Sequence, residues 1–264
     1  MASSSIVSAD KISLEDFNRR LVEYDSLIQR VSDEKGAKDG QKTLLRLDEY
    51  RYREALDIFD TESRARPMTL DDIKTLVEWK LRHGKFRPTL MKLVSSNDPS
   101  DAQDVVKQAV DMYDKTADIG AAVKVLTKLR GIGPATASLL LAVHDASRVI
   151  FFSDEAFWWL CCDGKQSPIK YDAKEYSVLC SKFENLRDRL GMVKANDAEK
   201  VAYVLMRQPG QPEQSHGAAP VKKDKQDTST KPAKKRKPDV METKKSDNVT
   251  QEQPSLRRSK RLKS

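Results

Sequence analysis

Two short stretches of the chain combine residue types that could do chemistry. In "LRGIGPATAS", residues 129–138, two glycines and a proline stand between two runs of helical spacing. Glycine accepts a positive φ without a Cβ penalty and proline is pre-set for a first helical turn. Gly131 and Gly133 can therefore turn the chain, Ile132 can fold back as an apolar plug, and Pro134 can open the next helix. Such a turn brings backbone N–H groups to the surface at a helix N-terminus, where the dipole is positive and a phosphate oxygen can be held without any side chain. A plain corner between helices, with glycine there for steric reasons, is the alternative. In "FFSDEAFWWL", residues 151–160, Ser153 can cap a helix with Asp154 and Glu155 in its first turn. Acids there either serve a site or simply complement the dipole.

Other candidates carry two readings each. "EWKLRHGKFRP", residues 78–88, gathers Lys80, Arg82, His83, Lys85 and Arg87 with Trp79 and Phe86 interleaved. It could line a nucleic-acid groove, or it could be the cationic end that a helix C-terminus favours anyway. Trp158 and Trp159 could stack on a base or fill the core. His83 and His144 have no ligand partner in sequence, and Cys161, Cys162 and Cys180 are too few for a zinc site or a disulfide framework, so no metal and a reduced setting are expected.

The elements that must position these residues are helices. Apolar residues recur at three- and four-residue spacing and no long alternating run exists, which predicts an irregular all-α bundle of about eight helices over residues 1–207. Ser13 with Asp16 and Thr69 with a following acid read as helix starts, and Gly84 as a stop. Ser100 with Gln103, Asp118, Pro134, Ser153, Asp172 with Glu175, and Asn196 open the others. Residues 35–66 are open between helix and extended chain.

Charge is divided unevenly. Of 48 Lys and Arg and 40 Asp and Glu, residues 208–264 hold 15 and 7, which leaves 33 of each before them. The net charge of +8 therefore belongs to the tail, and the neutral body does not by composition indicate a nucleic-acid partner. The tail has no Phe, Trp or Tyr and reads as disordered. Its clusters Lys234, Lys235, Arg236, Lys237 and Arg257, Arg258, Lys260, Arg261 have the size read by a nuclear import receptor, so a nuclear protein is expected. Neither end carries an apolar run that could span or enter a membrane. The oligomeric state is left open.

"LRGIGPATASLLLAV" resembles the hairpin of the helix-hairpin-helix superfamily of DNA glycosylases, through Leu129, Gly131, Ile132, Gly133, Thr136 and Ala137, with Arg130 where that family has proline. Asp154, 21 residues after Gly133, stands where the family carries its aspartate, and the pairing of "GPATAS" with "SDEA" is similar to a eukaryotic group within it. The resemblance implies contacts from Gly131, Ile132, Gly133, Ala135 and Thr136 to the backbone of double-stranded DNA, whose groove Lys80, Arg82, Lys85 and Arg87 would line on the first of the two readings of their basic stretch. It also implies Asp154, or Glu155 as second choice, as the carboxylate that stabilises charge at C1′ when a base leaves. Ala135 replaces the family's nucleophilic lysine, which implies a monofunctional N-glycosylase of base-excision repair type without imine or strand-cleaving chemistry. No cysteine quartet for an iron–sulfur cluster follows, and a monovalent cation held by carbonyls near Leu129 and Ile132 is the one ion the resemblance allows. The alternatives are a non-catalytic hairpin module that binds DNA and a helical module that binds protein.

Overall fold

The computed structural model describes residues 6–207, and within them the chain is all-α, without strands. The tail clusters at 234–237 and 257–261 lie outside the described residues. α1 (Leu14–Lys35) begins where Ser13 accepts from the Asp16 N–H, and it buries Phe17, Tyr24, Leu27, Ile28 and Val31 along one face. Residues 44–59, within the span that sequence left open, are helical: α2 (Leu44–Glu49), a π-helical stretch (Tyr50–Glu54) and α3 (Ala55–Phe59) run on without a break. The wider turn carries Arg51 and Tyr52 into the interior. α4 (Leu70–His83) starts from a reciprocal capping box between Thr69 and Asp72 and stops at Gly84. Asp72 also accepts from Arg66 at 2.6 and 2.8 Å and from the Tyr50 hydroxyl at 2.8 Å.

The remaining helices are α5 (Leu90–Ser95), α6 (Pro99–Thr116), α7 (Ile119–Leu126), α8 (Pro134–Ala142), α9 (Asp154–Cys161), α10 (Ala173–Arg189) and α11 (Ala195–Met206). Ten helices result among the described residues when α2 and α3 are taken as one, against the eight expected. The two extra are α5 and the α2–α3 helix, both too short or too interrupted for a clear periodic signal.

Several helix starts differ from expectation, each for a visible reason. α6 is capped by Asp98, whose carboxylate accepts from the Ser100 and Asp101 N–H groups at 2.8 and 3.1 Å, so Ser100 lies inside the helix and Pro99 takes the first turn. α7 ends at Leu126, and beyond it the Leu129 N–H closes a tighter bond to the Leu126 carbonyl at 3.2 Å. α11 starts at Ala195 without a side-chain cap. The N–H groups of Ala195 and Asn196 donate instead to the carbonyls of Ser147 and Ala146, both at 3.1 Å, a tertiary cap that no local signal announces. Asp172 caps α10, but Glu175 reaches back past it to the N–H groups of Lys170 and Tyr171, each at 2.8 Å.

α8 explains the arrangement of the rest. Every residue from Ala135 to Ala142 is buried, so the helix has no solvent face and packs against α4, α7 and α10. α1 and α9 pack on α11, most of whose residues are buried in turn. The interior is completed by Trp79, Trp159, Tyr24, Tyr203 and Phe17, all under 2% exposed.

Candidate functional site

The turn between α7 and α8 is fixed by backbone geometry. Gly131 has φ +77°, and a Cβ there would stand 3.0 Å from Leu93 Cβ and 3.2 Å from the Val94 nitrogen, so both its conformation and its closeness to α5 require glycine. Gly133 does not share that property. Its φ is −90° and a Cβ would meet nothing within 4 Å, which corrects the expectation that both glycines take positive φ. Ile132 is buried, as a plug should be, and so are Ala135 and Thr136, whereas Gly133 and Arg130 face solvent. Any contact from positions 135 and 136 would have to come from the backbone.

Asn97 clamps the turn. Its side-chain oxygen accepts from the Arg130 N–H at 2.8 Å, and its amide donates to the carbonyls of Arg130 and Val94 at 3.0 and 2.8 Å. A proline at position 130 has no N–H for the first of these bonds, so Arg130 and Asn97 form a matched pair. The carbonyls of Leu129, Arg130 and Gly133 accept from Ile132, Asn97 and the Thr136 and Ala137 N–H groups.

Asp154 stands in a different place. The cap of α9 is Ser153, whose oxygen accepts from the Ala156 N–H at 3.0 Å, and Asp154 instead accepts from the Tyr171 hydroxyl at 2.7 Å. Its side chain borders a shallow cleft with about 20 Å³ of free space, enough for an ordered water and too small for a nucleobase without movement. Lys80, Lys85 and Arg87, three of the four expected groove cations, line the same cleft. The fourth does not. Arg82 turns away and donates to the carbonyls of Lys42 and Gly36. None of residues 131–136 lines the cleft, so the structure joins the acid with the basic patch and not with the glycine turn.

The cleft residues are held by their partners. The Tyr171 ring lies 5.2 Å from the Arg87 guanidinium and 5.7 Å from Phe152, on a backbone with φ +57°, a conformation costly for a bulky residue. Burial, then the charge of Asp154, hold the phenol proton well above its usual range, so Tyr171 is the donor in the pair. Burial, with Arg87 beside it, pulls the Lys80 ammonium down to about 8, while Asp154 pulls the other way. Glu155 is buried, its carboxyl pushed up by burial, and accepts from Arg207 at 3.3 Å. The second-choice carboxylate is thus engaged with the end of α11.

Behind the cleft lies a polar network that sequence reasoning missed. The Phe151 N–H donates to Glu199 at 2.7 Å and the Phe152 N–H to the Ser138 hydroxyl at 2.9 Å, which fixes the two aromatic residues that back the cleft. The Ser138 hydroxyl donates on to the Ala135 carbonyl at 3.1 Å, so α8 is tied to the back wall. Glu199 also meets the Tyr52 hydroxyl at 3.1 Å and Arg51 at 3.3 Å, and Arg51 is fully buried. His83 stacks between Trp79 and Tyr203, at 4.0 Å from the latter, and burial keeps it neutral. Only the long reach of these pairs, 148 positions for Arg51 and Glu199, separates them from local signals.

Trp159 is core, its indole donating to the Val7 carbonyl at 3.0 Å, and Trp158 donates to the Ser167 carbonyl at 2.8 Å; neither lines the cleft. The three cysteines are unpaired thiols, Cys161 pushed up to about 12 and Cys180 to about 11 by burial. Among the described residues no cluster of His, Cys, Asp or Glu is placed to hold a metal ion, and no helix is long and apolar enough to cross a membrane. No family model, no curated protein and no solved structure matches the chain.

Proposed function

We propose that the folded domain is a helix-hairpin-helix DNA-binding module that acts on a base in duplex DNA as an N-glycosylase, with its tail directing it to the nucleus through an import receptor. The observation that carries this reading is the place of Asp154: a carboxylate that is not needed as a helix cap borders an open cleft that Lys80, Lys85 and Arg87 also line, against a back wall of Phe151 and Phe152. In the reaction the carboxylate complements the positive charge that builds at C1′ as the base leaves, and the Tyr171 hydroxyl orients it. Lys85 and Arg87, exposed at the mouth, suit the flanking phosphates. The solvent-facing Gly133, at the uncapped start of α8, supports a phosphate contact there.

The test is release of damaged or mismatched bases from a panel of duplexes, followed by alkali to cut the abasic strand. Asp154→Asn is expected to lower release by about 10²–10³, with duplex affinity unchanged. A second reading, DNA binding without chemistry, draws on the small free volume of the cleft and its separation from the glycine turn. Wild-type protein that binds these duplexes and releases no base decides for that second reading, and failure to bind any duplex overturns both.

A further inference from the structure

The free space in the cleft, about 20 Å³, admits an ordered water, so a larger ligand enters only if a wall moves. Three of the walls are pinned. His83 is stacked between Trp79 and Tyr203, at 4.5 and 4.0 Å. The N–H groups of Phe151 and Phe152 are bonded at 2.7 and 2.9 Å, and the start of α9 is capped by Ser153 and tied to Arg207 through Glu155. Tyr171 is held at both ends, its N–H by Glu175 at 2.8 Å and its hydroxyl by Asp154 at 2.7 Å. The fourth wall differs. Residues 85–88, between α4 and α5, are all exposed, and Lys85 and Phe86 form no hydrogen bond or ion pair among the described residues. Phe86 is 65% exposed, so its ring does not anchor the segment. What ties it down is the Leu90 N–H on the Arg87 carbonyl, at 3.2 Å, and the Arg87 guanidinium 5.2 Å from the Tyr171 ring.

We propose that residues 85–88 are a lid on the cleft, that Arg87 on the Tyr171 ring is its latch, and that a flat conjugated ring takes the guanidinium's place on Tyr171 when the lid opens. A segment with few bonds and little packing opens before its pinned neighbours do, and an exposed cation–π contact is weak enough to break within the folded state. A guanidinium and a conjugated ring are both planar and stack on the same aromatic face, so one can replace the other. Tyr171 stays where it is: its hydroxyl remains on Asp154 while its ring presents the face that Arg87 has left. Arg87, once released, and Lys85 travel with the lid and are free to meet a phosphate carried by the ligand. The lid and its latch do not depend on action on DNA. That the ring is a base of DNA rests on the function proposed above.

The experiment is backbone relaxation dispersion on the isotope-labelled full chain, which reads movement on the μs–ms scale. Exchange is expected at residues 85–87 and not at residues 151–155. No exchange at 85–87, or equal exchange at 151–155, overturns the lid. Arg87→Ala and Tyr171→Leu should each raise the open population about two- to fivefold, and so move the Lys85 and Phe86 signals in one common direction. Signals that stay in place in both variants overturn the latch. Adenosine monophosphate should move the wild-type signals in that same direction, whereas ribose 5-phosphate should not. No shift with the nucleotide, or an equal shift with the sugar phosphate, overturns the ring site. A mismatched duplex is the last arm. A response to the nucleotide without one to the duplex supports the lid and its ring site and counts against action on DNA alone.

Discussion

The starts of α8 and α9 meet the same physical problem and solve it differently. Each helix leaves its first N–H groups without intrahelical partners, at the positive end of its dipole. At α9 the Ser153 hydroxyl takes the Ala156 N–H, and Asp154 and Glu155 follow in the first turn. At α8 the starting residue is Gly133, which has no side chain; its carbonyl takes the Thr136 and Ala137 N–H groups at 2.9 and 2.8 Å, and the first turn holds no acid. One helix start therefore leaves its positive end without a carboxylate, although two of its N–H groups are bonded to the backbone. The other has neutralised that end and has carboxylate to spare, and Tyr171 with three cations gathers around it. The same dipole is thus met by a backbone carbonyl at one helix start and by a side-chain cap and carboxylates at the other, according to what the first residues supply.

The largest effect expected from breaking this contrast is at Gly131. Alanine there must hold φ +77° and push against Leu93 and the Val94 backbone, which should cost about 2–4 kcal/mol in urea denaturation. A small loss would mean that the turn relaxes away from α5. His144 lies on the segment that joins the two helices, 5% exposed, with Nδ1 at 2.8 Å from the Leu140 carbonyl, and burial lowers it to about 4. The unfolded chain binds its proton below about pH 6.5 and the folded chain does not until about pH 4, so this group's contribution falls as pH drops through that window. The stability gap between wild type and His144→Gln should therefore shrink, by on the order of 2 kcal/mol, between pH 7 and 4.5. A gap that stays constant would place the ring's titration near normal.

Smaller effects separate capping from chemistry. Ser153→Ala should cost about 1 kcal/mol, since Asp154 is committed to Tyr171 and does not replace the cap. An unchanged stability would show Asp154 able to cap, and would weaken its claim to a site. The smallest change in stability, within about 0.5 kcal/mol, is expected for Gly133→Ala, at φ −90° with open space around it. Loss of duplex affinity in that well-folded variant would sharpen the contrast between the helix starts, and equal affinity would leave α8 a structural corner.

What the chain determined without reference to its fold is local. The caps at Ser13, Thr69, Asp118, Ser153 and Asp172 are each made by a side chain to N–H groups two or three residues on, and such bonds are written in short sequence. The helical class and the first-turn position of Asp154 belong with them. Tertiary structure decided the rest. Arg82 and Arg87 sit on one basic stretch, yet one is tied to the carbonyls of residues 36 and 42 and the other covers Tyr171. Gly131 and Gly133 look alike in "GIG", and only the folded backbone distinguishes them, with φ +77° and α5 close by at the first and φ −90° and open space at the second. The cleft needed Lys80 from α4, Asp154 from α9 and Tyr171 from the loop before α10, with Glu199 of α11 and Ser138 of α8 fixing its back wall. Contacts between residues so far apart depend on which faces pack together. That is settled by the burial of apolar area over the whole domain, a quantity that no short stretch of sequence contains.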